Sequence, residues 1–510
     1  MIATIDAATI LGARGHPVTV EVHIGKGLPG FTMLGLPDES CREARDRVRA
    51  AVMSSGFTWP EKKITVNLAP PHYRKVGSGL DVAIAVGILV AGETIPVDAI
   101  AGLGFAGELG LDGSIRRVPG VAPMVGVRPD HDWVVPFDAM SEARVAGRGL
   151  VRPVDRLDQL VEALTGASPW PAYDVSPSIS VEPDPHDLAD VKGQPLARLA
   201  LEVAAAGGHH LLFVGPPGAG KTMLARRLPG LLPALGRHVA LQTTMVHSAA
   251  GATLPSGGLL SRPPFRSPHH TSSVGAVVGG GSHQLRPGEI SLAHGGVLFL
   301  DEMGQFAPKV LDGLREALED GEIMVGRVEQ LRVAMPARFQ LIGAMNPCPC
   351  GGNGSPTDCV CDEGSRQRYT QRLSGPLLDR FDLRVAVNRP NVTDLLDGQP
   401  GESTADVAAR VDRARAAALS NRGCLNADLD ESGLNEFAPL ESDADCCIRQ
   451  EMELGRLTGR GYHRVRRVAR TLADLEGHAD RPVSEKNVVA ALSMRARVGL
   501  SAVGAAGAAA

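Results

Sequence analysis

One stretch restricts the possible folds more than any other. Leu211-Leu212-Phe213-Val214 runs directly into Gly215-Pro216-Pro217-Gly218-Ala219-Gly220-Lys221-Thr222, and then into Met223-Leu224-Ala225-Arg226-Arg227-Leu228. The first four residues read as a buried strand and the last six as the opening of a helix. Between them, a glycine-rich turn lets backbone N–H groups approach phosphate oxygens closely, which bulkier residues would prevent. The order strand, turn, helix belongs to a parallel α/β sheet. Lys221 is expected to reach the β- and γ-phosphates of a nucleotide, and the Thr222 hydroxyl to ligate Mg²⁺.

Two further strand ends carry matching chemistry. Gly296-Val297-Leu298-Phe299-Leu300 ends in Asp301-Glu302. Acids at the carboxyl end of a buried strand suit the edge where open α/β sheets bind ligands. Asp301 is expected in the Mg²⁺ shell, and Glu302 to orient and deprotonate the attacking water. The run Phe339-Gln340-Leu341-Ile342-Gly343-Ala344-Met345 ends in Asn346, whose amide is placed to sit by the γ-phosphate. Together these residues predict an ATP·Mg²⁺ site with hydrolytic competence.

The chain has 510 residues, enough for roughly three domains. Residues 1–165 alternate short β-like runs (Val18 to Val22, Ile64 to Leu68) with helical ones (Arg42 to Met53, Leu80 to Ala91), which predicts an α+β domain. Residues 166–186 are rich in proline and read as a linker. Strands and helices alternate again over 187–395. Residues 396–500 are helical and strongly charged, and 501–510 form an alanine-rich tail. No charged segment followed by an apolar one opens the sequence, and the longest apolar stretch, Leu80 to Ala91, is short and contains Asp81. A cytoplasmic, reducing setting without a membrane is the expectation, in which the eight cysteines are not disulfide-bonded.

Longer words resemble one family, the magnesium-chelatase-like AAA+ ATPases of the YifB/ComM type. They are RPPFRSPHHTSS at 262–273, PGEISLAHGGVLFLDE at 287–302, LREALEDGEIMVGR at 314–327, GAMNPCPCG at 343–351 and SGPLLDRFDL at 374–383. VKGQ at 191–194 is similar to the segment that opens AAA+ modules near the adenine. The resemblance implies an AAA+ P-loop core with a helical lid, working as a homo-oligomeric ring of six. Arg380 then looks like an arginine finger reaching the γ-phosphate of a neighbouring subunit. Arg460 is similar to the lid arginine called sensor 2, with Arg467 as the competing choice. The N-terminal region resembles the Lon-protease C-terminal domain, of the ribosomal S5 domain 2-like fold, through KVGSGLDVAIA at 75–85 and GELGLDGSIRRVPG at 107–120. Gly79 stands where that family has its serine nucleophile and Ser78 is one position off. Lys75 and Ser78 therefore read as scaffold, and the region as a docking module for protein partners.

Four cysteines fall as Cys348-x-Cys350 and Cys359-x-Cys361. Four thiolates at that spacing suit a structural Zn²⁺ site, although C-x-C is tighter than the usual C-x₂-C, and a loop of free thiols is the alternative. From Val203 to Gly288 there is no Asp or Glu, against six arginines, Lys221 and seven histidines. The part from about 245 to 288 reads as an insertion projecting into a ring's pore, where a basic, acid-free surface suits DNA. An intersubunit contact is the other reading. The net charge of −5 excludes a generally basic nucleic-acid coat. Two functions stay open: a DNA motor, as ComM-type relatives drive branch migration of recombination intermediates, and a protein-remodelling or metallation-partner motor like the magnesium-chelatase I subunit.

Overall fold

The computed structural model describes residues 2–172, 186–281, 285–327, 331–351, 359–362, 375–391 and 396–496, with 364, 365, 368, 369 and 393 between them. Most of the proline-rich segment and the alanine-rich tail lie outside the described residues.

The first sheet has seven strands: β1 (Ile2–Leu11), β2 (Arg14–Gly25), β3 (Gly30–Leu34), β4 (Lys63–Ala69), β5 (Leu103–Phe105), β6 (Asp132–Pro136) and β7 (Val151–Val154). Their spatial order is β3-β4-β2-β1-β5-β6-β7. On β2 the residues Val18, Val20 and Val22 are fully buried while Glu21 and His23 are exposed, the period-two pattern of a sheet packed on one face. Helix Asp81–Ala91 is buried along its whole length, covered by helix Glu39–Ser54 on one side and by β1 and β2 on the other. Asp81 at its start is held by Arg47 at 2.8 Å. Burial pushes this carboxyl up to about 6, against the pull of Arg47. Lys75, also buried, donates to the carbonyls of Pro70 and Tyr73, whereas the Ser78 hydroxyl donates to Glu108. Lysine and serine thus turn to different partners.

The second sheet is parallel throughout. Its strands are β8 (Leu211–Val214), β9 (Phe265–Arg266), β10 (Val297–Leu300), β11 (Gln340–Met345) and β12 (Leu383–Ala386), in the order β9-β10-β11-β8-β12. All residues of β10 and β11 are buried, as expected of strands covered on both faces. The polar exception, Gln340, donates to the carbonyls of Ala204 and His209 at 2.7 and 2.8 Å. Register sets Leu300 beside Gly343 and Val214 beside Met345. Gly215, Asp301 and Asn346 therefore leave the same edge of the sheet.

Helices Thr404–Arg422, Glu431–Phe437, Ser442–Glu453, Gly459–Leu475 and Glu485–Ser493 follow. Helix Pro195–Gly207 packs against the first and fourth of them. A buried polar knot joins these helices to the sheet: Asp382 accepts from Arg464 at 2.5 Å and lies 3.3 Å from His209. Burial alone would raise the Asp382 carboxyl; the hydrogen bond to His209 and the neighbouring cations hold it below the usual carboxylate range instead.

The stretch from about 245 to 288 does not project as one insertion. Helix Arg237–Ala249 and the turn after it pack on the first sheet's layer. Gly120 N–H donates to Ser248 O at 2.8 Å, Ala122 N–H to Ser248 Oγ at 3.2 Å, and Ser248 Oγ to Glu142. Arg117 closes the same contact on Glu142 at 2.7 Å. Val246, Ala249 and Leu292 share one apolar cluster with Ile10, Val121 and Trp133. Further on, Phe265 and Arg266 form the edge strand β9, and Arg266 pairs with Glu289 at 2.6 Å. Burial of small apolar residues, rather than exposure of basic ones, organises most of the stretch. Among the described residues no helix is long and apolar enough to cross a membrane.

Candidate nucleotide site

The turn after β8 needs its glycines. Gly218 and Gly220 have φ of +78° and +89°, in the left-handed region. A Cβ on Gly215 would stand 2.0 Å from Val387 O, so only glycine lets the turn leave the sheet there. The helix that follows is short: Lys221–Ala225, then a second piece, Leu228–Leu231, with Pro229 in its first turn. Gln194 of the VKGQ word ties the turn to the neighbouring segment, donating to Ala219 O at 3.4 Å and Asn388 O at 2.6 Å. Arg389 adds a bond to Pro217 O at 3.2 Å.

The three strand ends meet. The Lys221 amine donates to Gly215 O at 2.7 Å, Pro216 O at 2.9 Å and Asn346 Oδ1 at 3.1 Å. Its burial lowers the ammonium from its ordinary value, opposed by the charges of Asp301 and Glu302. The Thr222 hydroxyl donates to Asp301 Oδ2 at 2.6 Å, and Asp301 Oδ1 accepts from the Glu302 N–H at 2.9 Å. Paired hard oxygen donors beside a buried ammonium fit Mg²⁺ with a triphosphate. Glu302 itself has φ of +50°, uncommon for a residue with a side chain and costly by about 1–3 kcal/mol. Its Oε2 lies 3.2 Å from His270 Nδ1. The sequence marks His270 as a partner of Glu302 only faintly, through the HHTSS word inside an acid-free run.

Arg380 stands apart from this cluster. It occupies the turn before β12, and its side chain pairs with Glu319 on helix Pro308–Asp320. Arg460 is exposed and lies 3.5 Å from Asp379, the residue before Arg380. Arg467 donates to Leu429 O at 2.8 Å. Arg464, between them on the same helix, donates to Arg380 O at 3.0 Å as well as to Asp382. The lid helix therefore buttresses the Arg380 turn, and neither lid arginine bonds the phosphate-binding turn among the described residues.

The four cysteines converge. The Sγ atoms of Cys348, Cys350, Cys359 and Cys361 all lie within 4.8 Å of one another, with Cys348 to Cys350 at 3.4 Å, Cys348 to Cys359 at 3.7 Å and Cys350 to Cys359 at 3.6 Å. These separations are far beyond an S–S bond of about 2.05 Å.

Comparison with known proteins agrees along the chain. The family described as magnesium chelatase, subunit ChlI, matches residues 187–395. The subunit ChlI of Mg-chelatase family matches 20–138, and the magnesium chelatase subunit ChlI C-terminal family matches 401–495. The chain is 44% identical over 496 residues to an uncharacterised protein of Mycobacterium tuberculosis, covering 96% of this chain and 97% of that one. It is 41% identical to the uncharacterised protein YifB of Escherichia coli, covering 93% and 94%. It is 39% identical to the competence protein ComM of Haemophilus influenzae, covering 98% of each.

Proposed function

The chain belongs to the YifB/ComM group of magnesium-chelatase-like AAA+ proteins, and on that premise we propose that it is an ATP-hydrolysing ring motor acting on DNA. The observation that carries the hydrolytic reading is the meeting of Lys221, Thr222, Asp301 and Asn346 at one sheet edge. Thr222 and Asp301 would hold Mg²⁺, and the backbone of Gly215 to Gly220 with Lys221 would hold the phosphates. The metal supplies charge neutralisation across the β- and γ-phosphates. Glu302 takes the proton of the attacking water, and Asn346 positions that water together with Lys221. Arg380 completes the site of the neighbouring subunit, and Arg460, on the same edge, reaches toward it. The unit of activity is then a ring, six subunits by the family's habit.

The DNA reading draws support from the similarity to a competence protein and from the absence of acids between Val203 and Gly288. A second reading, protein remodelling, gains from the packing just described, because much of that segment is engaged within the chain. ATPase rates with and without single- and double-stranded DNA at moderate salt separate the two. The Glu302→Gln variant is expected to retain ATP and, with it, DNA. No stimulation of the wild type and no DNA retention by the variant would leave the remodelling reading in place.

A further inference from the structure

We propose that Cys348, Cys350, Cys359 and Cys361 hold one zinc ion as a closed tetrathiolate, and that this ion fixes the loop after Asn346 against the phosphate-binding turn. A tetrahedron of sulfurs about 2.3 Å from zinc has its corners about 3.8 Å apart. Three of the sulfur pairs lie at 3.4–3.7 Å, and the whole set falls within 4.8 Å. Two short C-x-C hairpins, separated by nine positions, converge on one point although Cys348 is buried and Cys350 is exposed. Four soft donors with no oxygen or water among them make a structural site rather than a catalytic one. On binding, the four thiols release their protons to solvent and the dication is left with four thiolates.

The position of the cluster gives it a purpose. Cys348 follows Asn346 by two residues, and Asn346 bonds Lys221 at 3.1 Å. Gly351, just past Cys350, has φ of +78°, and a Cβ there would stand 2.7 Å from Pro217 Cδ of the phosphate-binding turn. The cysteine loop thus lies directly on Pro217, with Asn346 beneath it. Loss of the metal would release this lid over the turn and let the Asn346 amide wander. The second half of the proposal rests on the ATPase reading above; the first does not.

The test uses the full chain. Elemental analysis of the purified wild type is expected to give about one zinc per chain, and Cys359→Ser/Cys361→Ser to give none. Wild type stripped of metal and titrated with cobalt(II) is expected to show the intense visible absorption and thiolate charge transfer of a tetrahedral sulfur site, which needs no variant to fold. Iron in place of zinc, or no metal and no such spectrum, overturns the assignment. For the positioning half, stripped protein returned to Mg²⁺ buffer is expected to bind a fluorescent ATP analogue as before and to hydrolyse ATP roughly ten- to a hundredfold more slowly, with recovery on adding zinc. An unchanged rate overturns that half. If the zinc-loaded wild type splits no ATP, the ATPase reading fails while the metal count and the cobalt spectrum still decide the site.

Discussion

Replacing Arg380 with alanine is expected to abolish hydrolysis and spare nucleotide binding. Leu383, three residues after Arg380, pairs with Leu211 at the amino end of the sheet, whereas Gly215 leaves the carboxyl end. Four residues of extended strand separate those levels by about 13 Å, with Arg380 farther back still. The guanidinium thus points from the wrong edge to serve its own phosphate-binding turn. Its partner within the chain is Glu319, and the two side chains are 35% and 51% exposed, so the pair is worth at most about 1 kcal/mol. An arginine delivered to a neighbour's γ-phosphate raises the rate about 10³–10⁵-fold, or roughly 4–7 kcal/mol. Stabilisation at the phosphate outweighs the loss of the ion pair, and Glu319 yields its partner when a nucleotide-bearing neighbour docks. The decisive assay mixes two inactive variants. Lys221→Ala lacks the phosphate-binding ammonium but keeps Arg380; Arg380→Ala keeps the turn but lacks the finger. Random rings of equal parts join an intact turn to an intact arginine at about a quarter of the interfaces, so up to about a quarter of the wild-type rate should return. No recovery on mixing, or loss of binding by Arg380→Ala in step with its rate, refutes the in-trans role.

Asn346→Ala removes one bond to a charged amine, worth about 1.5–3 kcal/mol, and should lower kcat about ten- to a hundredfold with little change in nucleotide affinity; a rise in KM at constant kcat, measured by steady-state ATPase, would place Asn346 in binding instead. His294 supplies a pH prediction. Burial lowers it to about 4, and its Nδ1 accepts the Arg338 N–H at 3.2 Å, so it is neutral in the fold. The unfolded chain binds more protons than the folded one between about pH 6.5 and 4, so stability is complete above that window and falls as pH drops through it, by about 3 kcal/mol at pH 4 from this group. Thermal melts across that range should show a flatter acid slope for His294→Gln than for wild type. Identical slopes would dismiss His294 as a source of acid lability.

The parts of the site legible in the sequence are those written as continuous apolar runs ending in polar residues. Leu211 to Val214, Val297 to Leu300 and Gln340 to Met345 are central parallel strands, and full burial leaves composition little freedom there. Their ends meet because adjacent parallel strands share a carboxyl edge. The contact of His270 with Glu302 is hidden from sequence, since 32 positions separate residues in two turns and no periodicity links them. The lid is ambiguous for a different reason. Arg460, Arg464 and Arg467 recur at helical spacing on one face, and only the docking of that helix on Asp382 decides which of them meets the Arg380 turn.

A charge count along the sequence also means less than it suggests. Between Val203 and Gly288, Lys221 belongs to the site, Arg227 pairs with Asp190 and Arg266 pairs with Glu289, both partners lying just outside the acid-free run. Four arginines of that run, Arg226, Arg237, Arg262 and Arg286, are exposed. A polyanion senses unneutralised charge at the surface, because each contacted phosphate releases counterions only where a cation is free to replace them. The absence of acids near the phosphates follows from the nucleotide site, and their absence from Val246 to Gly258 follows from packing against the first sheet's layer. What electrostatic support for DNA persists therefore narrows from a stretch of 86 residues to those four side chains.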